Sequence, residues 1–252
     1  MAYASSLWLW TARAVERPRA RLFCFPYAGS GAGVFRTWPK RLPPDVEVLA
    51  AQYPGRGTRH TEPLVRRIEP LLDGLELALS PNLDVPYVFF GHSMGGLLAF
   101  ELCRRFARRG APLPARLFLS ARPAPGRERR SAPPGGRSDA NLLEKLRRYG
   151  GTPPEILNDP EMLALVLPIF RADLEALDAF RVGPGEPLTI PLTVLGGDRD
   201  DAPALADLEG WRAYTLGGCA IHAIHGGHFF LHSAEAEVLR LVSAALEVAA
   251  LR

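Results

Sequence analysis

The chain has 252 residues, 47% of them hydrophobic, enough to bury the core of one large α/β domain or of one such domain carrying an insertion. Its 30 basic and 27 acidic residues leave a formal charge of only +3, which argues against nucleic acid as a partner, and no run of about 18 apolar residues suggests a membrane span. Three cysteines at unrelated spacings, Cys24, Cys103 and Cys219, argue against a disulfide framework or a zinc site. Residues Met1 to Leu9 lack the basic start, long apolar stretch and cleavage site of a signal peptide, so a cytoplasmic protein is expected. Lysine occurs only at Lys40 and Lys145, and this arginine bias, with abundant Ala, Gly and Pro, points to a GC-rich genome more than to a binding surface.

Along the chain, apolar runs alternate with helical patterns. Strands are predicted at Leu7 to Thr11, Arg21 to Phe25, Glu47 to Gln52, Tyr87 to Phe90 and Arg116 to Ser120, with helices near Val34 to Arg41, Glu62 to Ser80 and Met94 to Arg109. The stretch Arg122 to Pro187 breaks this rhythm. It opens with a Pro/Gly/Arg-rich segment, Arg122 to Arg137, and continues with helical patterns at Ser138 to Tyr149 and Pro160 to Phe180. Strands resume at Leu192 to Leu195 and Cys219 to Ile224, before a last helix at Ala234 to Ala250. The alternation predicts an α/β fold with a mostly parallel sheet and helices on both faces. A single crossover helix needs far fewer residues than 122–187, so that segment is read as a helical lid insertion, with 1–121 and 188–252 as the core.

Gly91-His92-Ser93-Met94-Gly95 follows the apolar run 85–90 and opens the helix at Met94. A Gly-x-Ser-x-Gly where a strand turns sharply into a helix is the nucleophile elbow of an α/β-hydrolase fold. Glycine is needed two residues to either side because a side chain there would be crowded. The serine is held strained, with its hydroxyl pushed into an open site.

Such a serine needs a base, and the base needs an orienting acid, following in the order Ser, acid, His. Of six histidines, His228 in Gly226-Gly227-His228-Phe229-Phe230 is the best placed, on a glycine-rich loop between the last strand and the last helix. His222 and His225 read as structural or surface residues, since residues three apart share no strand face and no cysteine or carboxylate pair completes a metal site. The acid is expected after Leu192-Thr193-Val194-Leu195, where Asp198, Asp200 and Asp201 crowd the C-terminal end of a strand; Asp200 is chosen over the other two. Two backbone N–H groups should hold the developing oxyanion. One is that of Met94, and the other that of Ala28, with Tyr27 as its alternative, in Phe25-Pro26-Tyr27-Ala28-Gly29-Ser30-Gly31. That loop lacks the ending of a P-loop and the full Gly-x-Gly-x-x-Gly pattern, so no nucleotide cofactor is expected.

Five segments together resemble the type II thioesterases that edit for modular polyketide and nonribosomal peptide synthases. They are Phe23-Cys24-Phe25-Pro26-Tyr27-Ala28-Gly29, Gln52-Tyr53-Pro54-Gly55-Arg56-Gly57, Gly91-His92-Ser93-Met94-Gly95-Gly96, Leu195-Gly196-Gly197-Asp198-Arg199-Asp200 and Gly226-Gly227-His228-Phe229-Phe230-Leu231. Where family members often have proline after the second aspartate, this chain has Asp201. The resemblance implies hydrolysis of acyl thioesters carried on the phosphopantetheine of an acyl or peptidyl carrier protein, by a monomer without metal or cofactor. Arg104, Arg105, Arg108 and Arg109, or Arg127, Arg129 and Arg130, could meet an acidic carrier, although solvated arginine faces explain both groups more simply. An esterase or acyltransferase acting on oxygen esters, or a silent binding protein on the same fold, are the alternatives.

Overall fold

The computed structural model describes residues 7–127 and 138–251. In chain order its regular elements are β1 (Leu9–Trp10), β2 (Ala20–Phe25), β3 (Val46–Ala51), α1 (Ile68–Leu79), β4 (Tyr87–His92), α2 (Met94–Arg109), β5 (Arg116–Ser120), α3 (Asp139–Tyr149), α4 (Pro154–Leu157), α5 (Pro160–Ala179), β6 (Leu192–Gly197), α6 (Leu205–Leu208), β7 (Cys219–Ile224), α7 (Phe230–Ser233) and α8 (Glu235–Ala249). Among the described residues, seven strands form one sheet in the order β1-β3-β2-β4-β5-β6-β7. Only β1 runs antiparallel, with Leu9 opposite Ala51; every other pairing is parallel.

The near-continuous apolar runs of the central strands are explained by cover on both faces. Alternate residues point to opposite sides. Phe23, Phe25, Phe89, Leu117 and Val194 join Leu72 and Leu75 of α1 and Leu98 and Leu102 of α2 in one core. Leu22, Cys24, Val88, Phe90 and Leu195 join Val238, Val242 and Leu246 of α8 in the other. A third, smaller core of Leu142, Leu146, Leu167, Phe170 and Leu174 lies between α3 and α5, packed against Ala28 of the loop after β2. The helices between β5 and β6 thus rest on that loop. The ends of their segment also enter the main core, through Ala124 and Ala176.

Two sequence expectations shift. Residues 34–41 form two 3-10 turns, Ala32–Phe35 and Trp38–Lys40, rather than an α-helix, because Pro39 has no N–H to donate to a preceding turn. The helix expected from Glu62 begins at Ile68; the residues before it run irregularly, and Leu64 packs so closely on Gly55 that a β-carbon there would lie 2.4 Å from it.

Phe89 sits in the middle of the larger core, edge-on to Phe23 and Phe25 at 5.7 and 5.0 Å. Replacing Phe89 with alanine should cost about 3–5 kcal/mol. Truncating Leu77, which is 80% exposed on α1, should change stability by about 0.5 kcal/mol or less. Urea unfolding of the two variants measures both.

Candidate active site

The elbow is tightly determined. Ser93 has φ 53° and ψ −110°, a left-handed conformation that costs a non-glycine residue about 1–3 kcal/mol. It is held from both sides: its N–H donates to Ser120 O at 2.7 Å, and its carbonyl accepts from Gly96 N at 3.0 Å. The flanking glycines are obligatory. A β-carbon on Gly91 would lie 2.2 Å from Gly95 O, and one on Gly95 would lie 1.9 Å from Phe25 O. Both obstacles are backbone atoms, so no rotamer change relieves them.

Three of the predicted side chains meet in line. His228 Nε2 lies 3.2 Å from Ser93 Oγ, and His228 Nδ1 lies 2.7 Å from Asp200 Oδ2. The other oxygen of Asp200 accepts from Ala202 N at 3.0 Å, so the carboxylate is fixed at both ends. Neither His228 nor Asp200 is open to solvent, their side chains being 7% and 4% exposed. Asp198, by contrast, faces His225, with Oδ2 3.0 Å from its Nδ1, and accepts from Gly226 N at 2.9 Å. The Gly226 N–H, followed by His225, holds its carboxyl below the ordinary carboxylate range. Asp201 is exposed.

His92, the neighbour of the serine, is buried with Nδ1 2.8 Å from Ser120 Oγ. Burial, with His228 and His232 nearby, holds its imidazole well below the usual value, so it is neutral near pH 7. His232 meets the Tyr27 hydroxyl at 3.0 Å, and His60 approaches Gly57 O. Among the described residues no three His, Cys, Asp or Glu side chains converge as a metal site requires.

Ser93 and His228 line a cavity of about 1660 Å³ together with Tyr27, Ala28, Phe170 and Phe180. Ala28 thus stands on the serine's side of the loop after β2, and Met94 begins α2 directly after the serine. The next two N–H groups of the loop are engaged elsewhere: Gly29 donates to Asp173 Oδ2 at 2.7 Å, and Ser30 to Tyr27 O at 3.1 Å.

Asp173 escapes sequence reasoning, and it organises this side of the site. It belongs to α5, is fully buried, and accepts from the two terminal nitrogens of the Arg56 guanidinium, Nη1 and Nη2, at 2.5 and 2.8 Å. Arg56 also donates to Ser30 O at 3.1 Å. Gln52 supports the same loop, accepting from Ala32 N and donating to Arg56 O, while the Tyr53 hydroxyl donates to Pro26 O. The segment 52–57 is therefore a brace for the segment 25–31. A lone acid between Ala172 and Leu174 on an otherwise apolar helix face was the available signal. A second residue missed by that reasoning is Tyr149, whose ring stacks on His228.

The arginines of α2 serve mainly internal roles. Arg104 is buried against Glu101 and donates to the carbonyls of Gly183 and Pro184; Arg105 pairs with Asp73 and Glu76, and Arg109 with Glu76. Arg108 is exposed and Arg127 lines the cavity, while Arg129 and Arg130 lie outside the described residues.

A family model described as thioesterase domain matches residues 20–246, nearly the whole described chain. The chain belongs to the thioesterase family. It is 36% identical over 250 residues to a Brevibacillus parabrevis protein named linear gramicidin dehydrogenase LgrE, covering 96% of this chain and 93% of that protein. It is 35% identical to thioesterase PikA5 of Streptomyces venezuelae, over 95% of this chain and 85% of that one. Among solved structures, BorB, a type II thioesterase from the borrelidin biosynthetic cluster, superposes with a TM-score of 0.88 at 34% identity, covering 97% of this chain and 100% of BorB. The fold is accordingly that of the α/β-hydrolases, and this thioesterase is a hydrolase of thioester bonds.

The buried Arg56–Asp173 pair of the thioesterase generates a stability test. Asp173→Ala should cost about 3–5 kcal/mol, because it leaves a guanidinium buried without its partner. Replacing both residues with apolar ones, Arg56→Met with Asp173→Leu, should cost less than Asp173→Ala alone in denaturant unfolding.

Proposed function

We propose that this thioesterase edits an assembly line, hydrolysing aberrant or stalled acyl groups from the phosphopantetheine arm of acyl or peptidyl carrier proteins. The observation that carries the mechanism is the line from Ser93 Oγ through His228 to Asp200, opening into a cavity large enough for an acyl chain and the end of its carrier arm. The substrate class is supported by likeness to BorB, from a biosynthetic cluster, and to the thioesterase PikA5.

In this reading Ser93 Oγ attacks the thioester carbonyl carbon as His228 Nε2 takes its proton. Asp200 holds His228 in the tautomer that presents Nε2 to the serine and stabilises the imidazolium, without itself taking the proton. The N–H groups of Ala28 and Met94 hold the oxyanion, and the start of α2 adds its dipole. Collapse breaks the C–S bond, and His228 returns the proton to the departing thiol. Water then gives a proton to His228, attacks the acyl-serine, and releases the carboxylic acid with the serine restored. Side chains, backbone N–H groups and water suffice, so the reaction uses no metal or cofactor. The segment 122–187 acts as the lid over the cavity, which its residues Tyr149, Phe170 and Leu174 help to line. The enzyme works as a cytoplasmic monomer that docks a carrier protein. Among the described residues no helix is long and apolar enough to cross a membrane.

Asp200→Asn should lower kcat by about 10⁴-fold, as loss of a triad acid does. Asp198→Asn should stay within about twofold, as expected of an exposed change that leaves the triad in place. The reverse order in steady-state assays would reassign the acid. With matched acyl groups, the carrier-bound thioester should be hydrolysed faster than the oxygen ester. An ester preference of about tenfold, some 1.4 kcal/mol of barrier, would overturn the substrate class.

A further inference from the structure

The two hydrogen bonds of His228 leave one freedom open. With Nδ1 tied to Asp200 and Nε2 aimed at Ser93, the ring can still rock about its Cβ–Cγ bond, which swings its nitrogens out of line with their partners. Rocking spoils the alignment of the N–H and lone pair with their partners, and hydrogen bonds weaken steeply as they bend. A flat surface against the face of the imidazole removes that freedom.

Tyr149, the last residue of α3, supplies such a surface. Its ring centroid lies 4.8 Å from that of His228, with the planes inclined by 21°. Phe229 stands edge-on to His228 at 5.2 Å and 89°, and edge-on to Tyr149 at 6.3 Å and 82°. His92 approaches the imidazole edge-on as well, at 5.6 Å. The backbone after α3 is shaped for the same contact. Gly150 takes φ 71° and ends the helix, and Gly151 lies so close to Phe229 that a β-carbon would stand 2.2 Å from its ring. The end of α3 is thus seated on the histidine loop at two points, Tyr149 on His228 and Gly151 on Phe229. When His228 accepts the proton of Ser93, the cation forms against the π face of Tyr149, an arrangement that favours the charged ring.

We propose that Tyr149 is a positioning residue for the hydrolysis: stacked on His228, it holds the imidazole in the plane that joins Asp200 to Ser93, so the serine is activated only while α3 is docked on the histidine loop. The proposal rests on the Ser93–His228–Asp200 reading, and the test separates the two. A small fluorophosphonate reports activation of Ser93 without needing the acyl or carrier sites. Tyr149→Leu, which keeps an apolar cover but removes the flat ring, should slow labelling of Ser93 about tenfold, or about 1.4 kcal/mol of barrier, and lower kcat more than it changes KM. Tyr149→Phe should recover most of that rate, since it restores the ring. Gly151→Ala, which retains the tyrosine but drives a methyl group into Phe229, should slow labelling too. Thermal melts by circular dichroism identify any variant that fails to fold, and if Tyr149→Leu does, Gly151→Ala and Tyr149→Phe decide. Labelling at the unaltered rate in the folded variants, or a change confined to KM, would overturn the proposal and leave Tyr149 a wall of the cavity. No labelling of Ser93 in the unaltered protein would instead overturn the triad reading itself.

Discussion

The site hangs on a place where two stretches of backbone nearly touch. The α-carbon of Gly95 faces Phe25 O so closely that a β-carbon would sit 1.9 Å away. Phe25 ends β2, and the loop that follows carries Ala28; Gly95 lies in the first turn of α2, just after Met94. This single approach therefore sets the spacing between the two backbone segments proposed to hold the oxyanion. It also seats Ser93, the proposed nucleophile, whose strained φ is held between β4, β5 and α2. The parallel register of β2, β4 and β5 makes the approach possible by ending the three strands side by side, with Phe25 opposite Gly91 and His92 opposite Ser120.

Helices inserted between β5 and β6 complete what the sheet begins. A cover that only shielded the cavity would need apolar contacts alone. Here α5 sends a charged group, Asp173, fully into the base of the loop after β2, where it meets Arg56 and the Gly29 N–H. A buried ion pair is a poor source of net stability but a strict one of geometry, because neither partner tolerates the other's absence. Specificity of docking is the better account of why an acid sits there. The α3 end touches the opposite side of the site, at His228 rather than at the loop after β2. Both halves of the proposed chemistry are thus in contact with the same inserted unit.

What could be read from the sequence was whatever is local. The β4–elbow–α2 unit was legible because the switch from an apolar run to a helical period falls at Gly91 to Gly95, and α2 spans Met94–Arg109 as its pattern predicts. Ser93, Asp200 and His228 could be named because each sits at the end of a strand or in a glycine-rich loop, where turn chemistry marks the position. Asp200 is preferred to Asp198 from the sequence already, and the loop's geometry turns the first carboxylate inward to His228 and the second outward to His225. The helix expected at 34–41 is broken into two short turns because Pro39 has no N–H to close an α-helical bond, a local effect that outweighs the segment's helical pattern. Arg56 with Asp173 is 117 residues apart in sequence, and no local pattern encodes such a pair. The stack of Tyr149 on His228 is equally non-local: an aromatic before Gly150-Gly151 reads as a helix end and nothing more.

The neutral, buried His92 carries a cost that appears only when protons are counted. In the unfolded chain this imidazole would titrate near its ordinary value of about 6.5. In the folded protein burial keeps it neutral to well below that. Folding is therefore unaffected by His92 above about pH 6.5. Below it the unfolded chain binds a proton that the native state refuses, and stability falls by up to about 1.4 kcal/mol per pH unit until the native imidazole titrates in turn. The slope of unfolding free energy against pH reads this uptake directly. The strand that presents Ser93 thus ends on a side chain that makes the whole fold less tolerant of mild acid, because β4 buries an imidazole that only the unfolded chain can protonate.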